Sequence, residues 1–396
     1  MELHTRCIDA LRSRLAAILP GVSCLGAALF RDGLEELSTM ETVLQQKQQQ
    51  ELRAIVGPYP ILELATERLD SLRPPQMDNR EWFVERPLDQ LPGYPGHVAF
   101  GESLIQDIQS LPRSYDVVTL FRANRLASVV RGVGGQLSVP HSDGSVIIRT
   151  LSEAPPDLPP NRTEPIAVVH AARGWLSRDR ASPTWTTAVL SAKSFIGLGL
   201  ALGVFNYSRL FSRMAPRDGD TVDAFWQDES GNKYRPPPAF SSDEQDVLHD
   251  TQVSRTSLQT NGDEARRRLR GMATAFSTGE ADARVRIAGV WHFLAYVGDN
   301  DGFRFLSTVV ALEALLGSEE QSAELGLTRL LSERCAYLLG ETEKDRRTIR
   351  DIVYRAYQRR SKLVHRGVIT LSNEDEDLYA AARSLCARAI RRELQQ

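Results

Sequence analysis

Apolar residues recur with a helical period near both ends of the chain and gather into short β-branched or aromatic runs between them. Residues 2–19 carry Leu3, Cys7, Ile8, Leu11, Leu15, Ile18 and Leu19 along one stripe closed by Pro20 and Gly21, so an amphipathic helix that packs on a neighbour is expected. The glutamine-rich stretch 45–51 reads as the polar start of a second helix reaching about Val56. A third follows Gly57-Pro-Tyr-Pro60 to about Leu72, before a loop at Pro74 and Pro75. From Trp82 to about Ala171 the pattern changes to strands, at residues 117–121, 136–139, 145–150 and 166–170, separated by Gly, Pro, Asn and Asp. Turns are expected at 132–135 and 141–144, and an exposed loop at the prolines of 155–160. The uncharged run 194–208, just after Lys193, is too short to span a bilayer and reads as a buried helix.

Residues 213–261 are rich in Asp, Pro, Ser and Gln, the composition of an interdomain connection with a short helix at 243–250. Helical periodicity then resumes at 264–276, 281–297, 303–316, 325–339, 345–363 and 378–394, the last opened by the acidic run 374–377. The five segments from 281 onward have short links and predict a bundle. The expected fold class is therefore α+β: a mixed helix and sheet region over residues 1–260, with a linker at about 213–260, then an all-α bundle over 262–396.

A chain of 396 residues exceeds what one core usually organises, which agrees with that division. The net charge of −3 argues against a general nucleic-acid coat but leaves room for a local patch. Arg346, Arg347, Arg350, Arg355, Arg359, Arg360, Lys362 and Arg366 stand against only Asp351 over 346–366, a strip that reads as a solvated helix face or as a surface for a polyanion. Cys7, Cys24, Cys335 and Cys386 are scattered, so neither a disulfide framework nor a zinc ribbon is expected, and a cytoplasmic protein fits. Glu2, Arg6, Asp9, Arg12 and Arg14 interrupt any leader-like apolar core, and no membrane association is expected. His97, His141, Asp143 and His170 lack paired ligand spacing, and Gly197, Gly199 and Gly203 depart from the dinucleotide fingerprint, so no metal and no cofactor are expected.

The stretch with most chemistry is Tyr357-Gln-Arg-Arg-Ser-Lys-Leu-Val-His365, which sets Arg360 and His365 five residues apart with Ser361 directly after the arginine. Histidine titrates near neutrality and guanidinium does not, so such a pair divides proton transfer from stabilisation of charge on a phosphate. On a straight helix a five-residue step turns roughly 140°. The helix is therefore expected to end or kink within the motif, as Gly367 favours, or the long arginine to curl back toward the histidine. The plainer reading makes Arg360 a solvated helix charge and His365 a helix-end cap.

The pattern Tyr357-x-x-Arg360-Ser361-x-x-Val364-His365, with Ala311-Leu-Glu-Ala-Leu315 and Arg334-Cys-Ala-Tyr-Leu-Leu339 upstream, resembles the active-site region of HEPN domains, most closely the Apea-like prokaryotic group. The resemblance covers about the last third of the chain. It implies a HEPN-like helical bundle and a metal-independent endoribonuclease, a toxin or anti-phage effector, with Arg360, His365 and Ser361 catalytic. Glu313 and Tyr357 would support them, and Arg355, Arg359, Lys362 and Arg366 would contact RNA. Glu313 either neighbours the Arg/His pair, as an acidic residue on this earlier helix sometimes does in that family, or simply pairs with a nearby arginine. The implied partners are RNA and a second copy of the chain, joined through the bundle, with an unknown trigger acting on residues 1–260. The alternative is a non-catalytic HEPN module for dimerisation, RNA binding or ligand sensing.

Overall fold

The computed structural model describes residues 1–394 apart from 26–27, 31, 75–81, 122–135, 142–143, 151–165, 178–180, 208–221, 230, 232, 235–238, 254–261, 277–279, 318–325 and 367–370. The turn expected at 132–135, the proline loop at 155–160, Asp143 and Gly367 lie outside the described residues. The architecture is α+β, with helices and antiparallel sheets followed by an all-helical bundle.

The chain begins with α1 (Thr5–Ile18), β1 (Ser23–Leu25), β2 (Ala28–Phe30), α2 (Asp32–Ser38), α3 (Gln46–Val56), α4 (Pro60–Asp70), β3 (Glu85–Pro87) and α5 (His97–Gln109). The three strands form an antiparallel sheet in the order β2-β1-β3. Helices α1, α3 and α4 lie where periodicity placed them. Helix α5 corrects the expectation of strands throughout 82–171: Phe100, Leu104, Ile105 and Ile108 recur with the helical period, and all four are buried. Leu11 and Leu15 of α1 share one core with them, with Trp82 and with Trp175.

The four strands expected beyond α5 are present as β4 (Arg113–Phe121), β5 (Gln136–His141), β6 (Gly144–Thr150) and β7 (Ile166–Gly174). Strands β5, β6 and β7 run antiparallel in sequence, with His141 opposite Gly144. Next come α6 (Pro183–Ala201), β8 (Phe205–Tyr207), β9 (Val222–Asp228), β10 (Lys233–Tyr234), α7 (Ser242–Asp250) and β11 (Thr251–Val253). The six-stranded sheet has the order β10-β9-β4-β7-β6-β5. The described parts of 213–260 are thus more than a linker, because Phe225 and Trp226 are buried in β9, and the Trp226 ring packs 4.2 Å from Tyr234 and 5.2 Å from Tyr115. The short helix expected at 243–250 is α7, opened by a capping box between Ser241 and Glu244.

By packing, the chain forms two compact units: Met1–Tyr115 with Ala172–Thr187 and Trp226–Pro237, and Asp116–Ala171 with Ala188–Phe225 and Pro238–Gln396. The boundary expected near residue 260 falls inside the second unit. Its reason is the uncharged run after Lys193, of which only residues 194–201 are helical, forming the second half of α6 with Phe195, Ile196, Leu198, Leu200 and Ala201 all buried, while residues 205–207 form β8 instead of continuing the expected helix. A helix apolar on every side must be covered on every side. Phe121 of β4 and Val168 of β7 share a core with it, while Val118, Leu120, Ala167 and Val169 form a separate cluster with Phe225. This strict alternation is what a sheet buried on both faces requires.

The bundle follows as α8 (Gly262–Thr274), then α9 (Glu280–Leu294), α10 (Asp301–Leu316), α11 (Leu327–Leu339), α12 (Glu343–Arg366) and α13 (Asn373–Glu393). Its apolar core is continuous with that of α6. One close approach is between glycines: a Cβ added to Gly197 of α6 would stand 1.8 Å from the Gly289 carbonyl oxygen of α9. Gly199 has the Phe205 ring where its Cβ would be, and Gly203 takes φ +67°. The glycine spacing at 197–203 therefore serves helix packing and a turn. No described helix is long and apolar enough to cross a membrane. The four cysteines are free and buried.

His292 of α9 is fully buried, and neither ring nitrogen has a hydrogen-bond partner among the described residues. It packs edge-on to Tyr296 at 5.5 Å, and the Arg383 guanidinium lies 4.7 Å from the Tyr296 ring centroid. Burial, with a smaller contribution from Arg383, pushes its pKa down to about 3.

Two outcomes follow from this packing. Gly197→Ala should destabilise the protein by about 1–3 kcal/mol, more than Gly289→Ala, whose added Cβ meets the Ser194 and Leu198 side chains first rather than backbone. Gly271→Ala, with nothing nearer than 3.9 Å, should be neutral or stabilising; thermal melts rank the three. The unfolded chain protonates His292 below about pH 6.5 while the folded chain keeps it neutral to about pH 3. Its stability is therefore full above pH 6.5 and falls with pH, by about 2 kcal/mol at pH 5. His292→Phe should flatten the melting temperature between pH 7 and 5, and an unchanged slope would refute this origin.

Candidate active site

Helix α12 carries the motif. Ile349, Val353, Ala356 and Leu363 form its buried stripe, and Arg360 stands within that stripe. The helix runs unbroken to Arg366, past both motif residues, so the expected end inside the motif does not occur. Arg360 and His365 consequently project from faces roughly 140° apart. Arg360 also leans away from the histidine. Its guanidinium lies 5.7 Å from the ring centroid of Tyr357, one turn toward the N-terminus, as helical side chains tilt. Tyr357 itself packs against the core formed by Phe305, Val309, Leu378 and Tyr379.

His365 is exposed, and half-buried Ser361 shares its face four residues earlier. Ser361 therefore belongs with the histidine by position, although it follows the arginine in sequence.

Glu313 of α10 reaches the arginine, with its Oε1 3.6 Å from Arg360 Nε. Both readings of Glu313 thus meet at one contact, because the arginine it pairs with is the motif arginine. The contact is close but not a hydrogen bond, and both of those atoms are buried without one among the described residues. Burial pushes the Glu313 carboxyl above the usual range, against the opposing field of Arg360.

The remaining cations of the strip are largely answered by carboxylates. Arg359 pairs with Asp375 at 2.8 Å, and Arg355 with Glu374 at 2.7 Å and Asp351 at 3.7 Å. Arg350 pairs with Glu333 at 2.9 Å and Glu343 at 3.4 Å, and Arg347 with Glu343 at 3.4 Å. Arg346 lies 5.0 Å from the Tyr337 ring centroid. Asp375 also caps α13 through Ser372: burial would raise its pKa, but the bonds from the Ser372 backbone and hydroxyl, with Arg359 and Lys362, hold it below the usual range. Lys362 is exposed, and the Arg366 side chain lies outside the described residues. Much of the strip's charge is thus compensated by carboxylates of α11, α12 and α13. The signal for it was present in sequence as the acidic run 374–377, whose register against α12 only folding sets.

Of His97, His141, Asp143 and His170, the side chains of His97 and His170 are described. The His97 Nδ1 lies 3.0 Å from the Tyr94 hydroxyl, His170 is buried in β7, and the His141 side chain lies outside the described residues. Among the described residues no three His, Cys, Asp or Glu side chains gather as a metal site. No protein-family model, curated protein or solved structure matches the chain.

Proposed function

We propose that the protein is a metal-independent endoribonuclease of the HEPN type that acts in the cytosol as a toxin or defence effector. The observation that carries this reading is the array Tyr357, Arg360, Ser361 and His365 on one helix of an all-helical bundle, with an exposed histidine and an arginine beside a half-buried carboxylate. An exposed imidazole is free to take a proton from a ribose 2′-hydroxyl, and the 2′-oxygen then attacks the adjacent phosphorus. The bond to the 5′-oxygen breaks, and that oxygen takes a proton from water or from a second imidazole. A 2′,3′-cyclic phosphate and a 5′-hydroxyl result. Arg360 would hold the charge on the phosphate.

One helix does not turn Arg360 and His365 toward a common point, which favours a site made by two copies about a twofold axis. The arrangement of the strip favours one further reading, a non-catalytic bundle for dimerisation or binding, because most of its arginines already have partners. The region before the bundle would then sense a trigger in either case.

His365→Ala should lower RNA cleavage about 10²–10⁴-fold and Arg360→Ala about 10²–10³-fold, with both variants still folded. Ser361→Ala should cost less. Cleavage should persist in EDTA and spare 2′-O-methylated RNA, and light scattering on the full chain should give a dimer. A folded dimer that cuts no RNA would favour the binding module, and loss of cleavage on chelation would sink the mechanism.

A further inference from the structure

Arg359 and Arg360 are consecutive, yet their acidic partners hold them differently. Asp375 meets Arg359 at 2.8 Å and is itself fixed by the Ser372 hydroxyl at 2.8 Å and the Ser372 backbone at 3.0 Å. That carboxylate stays ionised and cannot move without uncapping α13. Glu313 meets Arg360 only at 3.6 Å. Well-made arginine–carboxylate pairs are forked, at about 2.7–2.9 Å. The Glu313–Arg360 contact has neither the length nor a hydrogen bond. Burial further weakens Glu313 as a partner by favouring its neutral form. Both side chains are mostly covered, at 18% and 27% exposure, so solvent does little to screen or replace what they lack.

Resting on the nuclease reading of this site, we propose that Glu313 is a restraint on Arg360 and that the substrate phosphate displaces it. In the arrangement described, Arg360 is drawn to the bundle interior and over Tyr357, away from the face of His365. A phosphate offers the guanidinium the forked bonds that Glu313 does not make. The arginine gives up one imperfect partner for a better one, so the carboxylate lowers affinity for any phosphate that Arg360 binds. Glu313 is thus a positioning residue whose removal strengthens binding, the reverse of what a supporting residue would do.

The test uses the full chain and a fluorescent 2′-O-methylated oligoribonucleotide, which internal attack cannot cleave. Anisotropy titrations compare wild type, Glu313→Gln, Arg360→Ala and the double variant. Glu313→Gln should bind about fivefold tighter, the upper end of what a single loose ion pair contributes. In the Arg360→Ala background the same substitution should change nothing, since a restraint acts only through the residue it holds. Glu313→Asp, which keeps the charge on a shorter stem, provides a folded alternative and should also tighten binding. Unchanged or weaker binding in folded Glu313 variants would overturn the restraint. Unmodified RNA cut equally by wild type and His365→Ala would instead refute the nuclease reading, a separate result on the same preparations.

Discussion

An α-helix turns about 100° for each residue, and that angle governs the whole candidate site. Because α12 continues through Arg366, five residues between Arg360 and His365 become two opposed directions, one into the bundle and one into solvent. The rest of the arrangement depends on this split. Arg360 falls among Val353, Ala356 and Leu363, where an unanswered cation would be costly, so α10 supplies Glu313 and the helix itself supplies the Tyr357 ring. His365 needs no such answer because it is exposed.

The arginines of α12 divide by how they are compensated. Arg347, Arg350, Arg355 and Arg359 have close carboxylates on α11, α12 or α13, and these pairs knit the bundle together. Each exposed pair contributes little by itself. Their combined effect is electrostatic: a strip that is strongly basic in sequence is much less so in the folded protein. Of the α12 arginines that pair with a described carboxylate, Arg360 stands farthest from its nearest one, 3.6 Å against 3.4 Å or less for Arg347, Arg350, Arg355 and Arg359, which makes it the one most able to change partners.

The bundle is not a free-standing module. Its core continues into α6, whose apolar circumference is covered in part by α9 through the Gly197–Gly289 contact. Cutting the chain near residue 280 would bare that face. A signal that moved α6 would therefore reach α9 by direct packing, since close-packed interiors shift rather than deform.

Much of this was legible in sequence wherever the information is local. Periodicity located the bundle helices α8 to α13, the strands β4 to β7 and the short helix α7, because burial on one face leaves a repeat in the chain itself. The motif residues were legible for the same reason, being close together on one segment. Helix α5 was legible too, in Phe100, Leu104, Ile105 and Ile108, but its neighbours' strand character obscured it. What only the tertiary structure decided are the pairings between distant segments: Glu313 with Arg360, Asp375 with Arg359, Gly197 against Gly289, and β9 beside β4. Such pairings depend on how helices are rotated and in what order strands meet, and no local repeat records either. The sequence by itself determined which residues carry chemistry and which are helical; the tertiary structure decided which way each one faces and which partner it has.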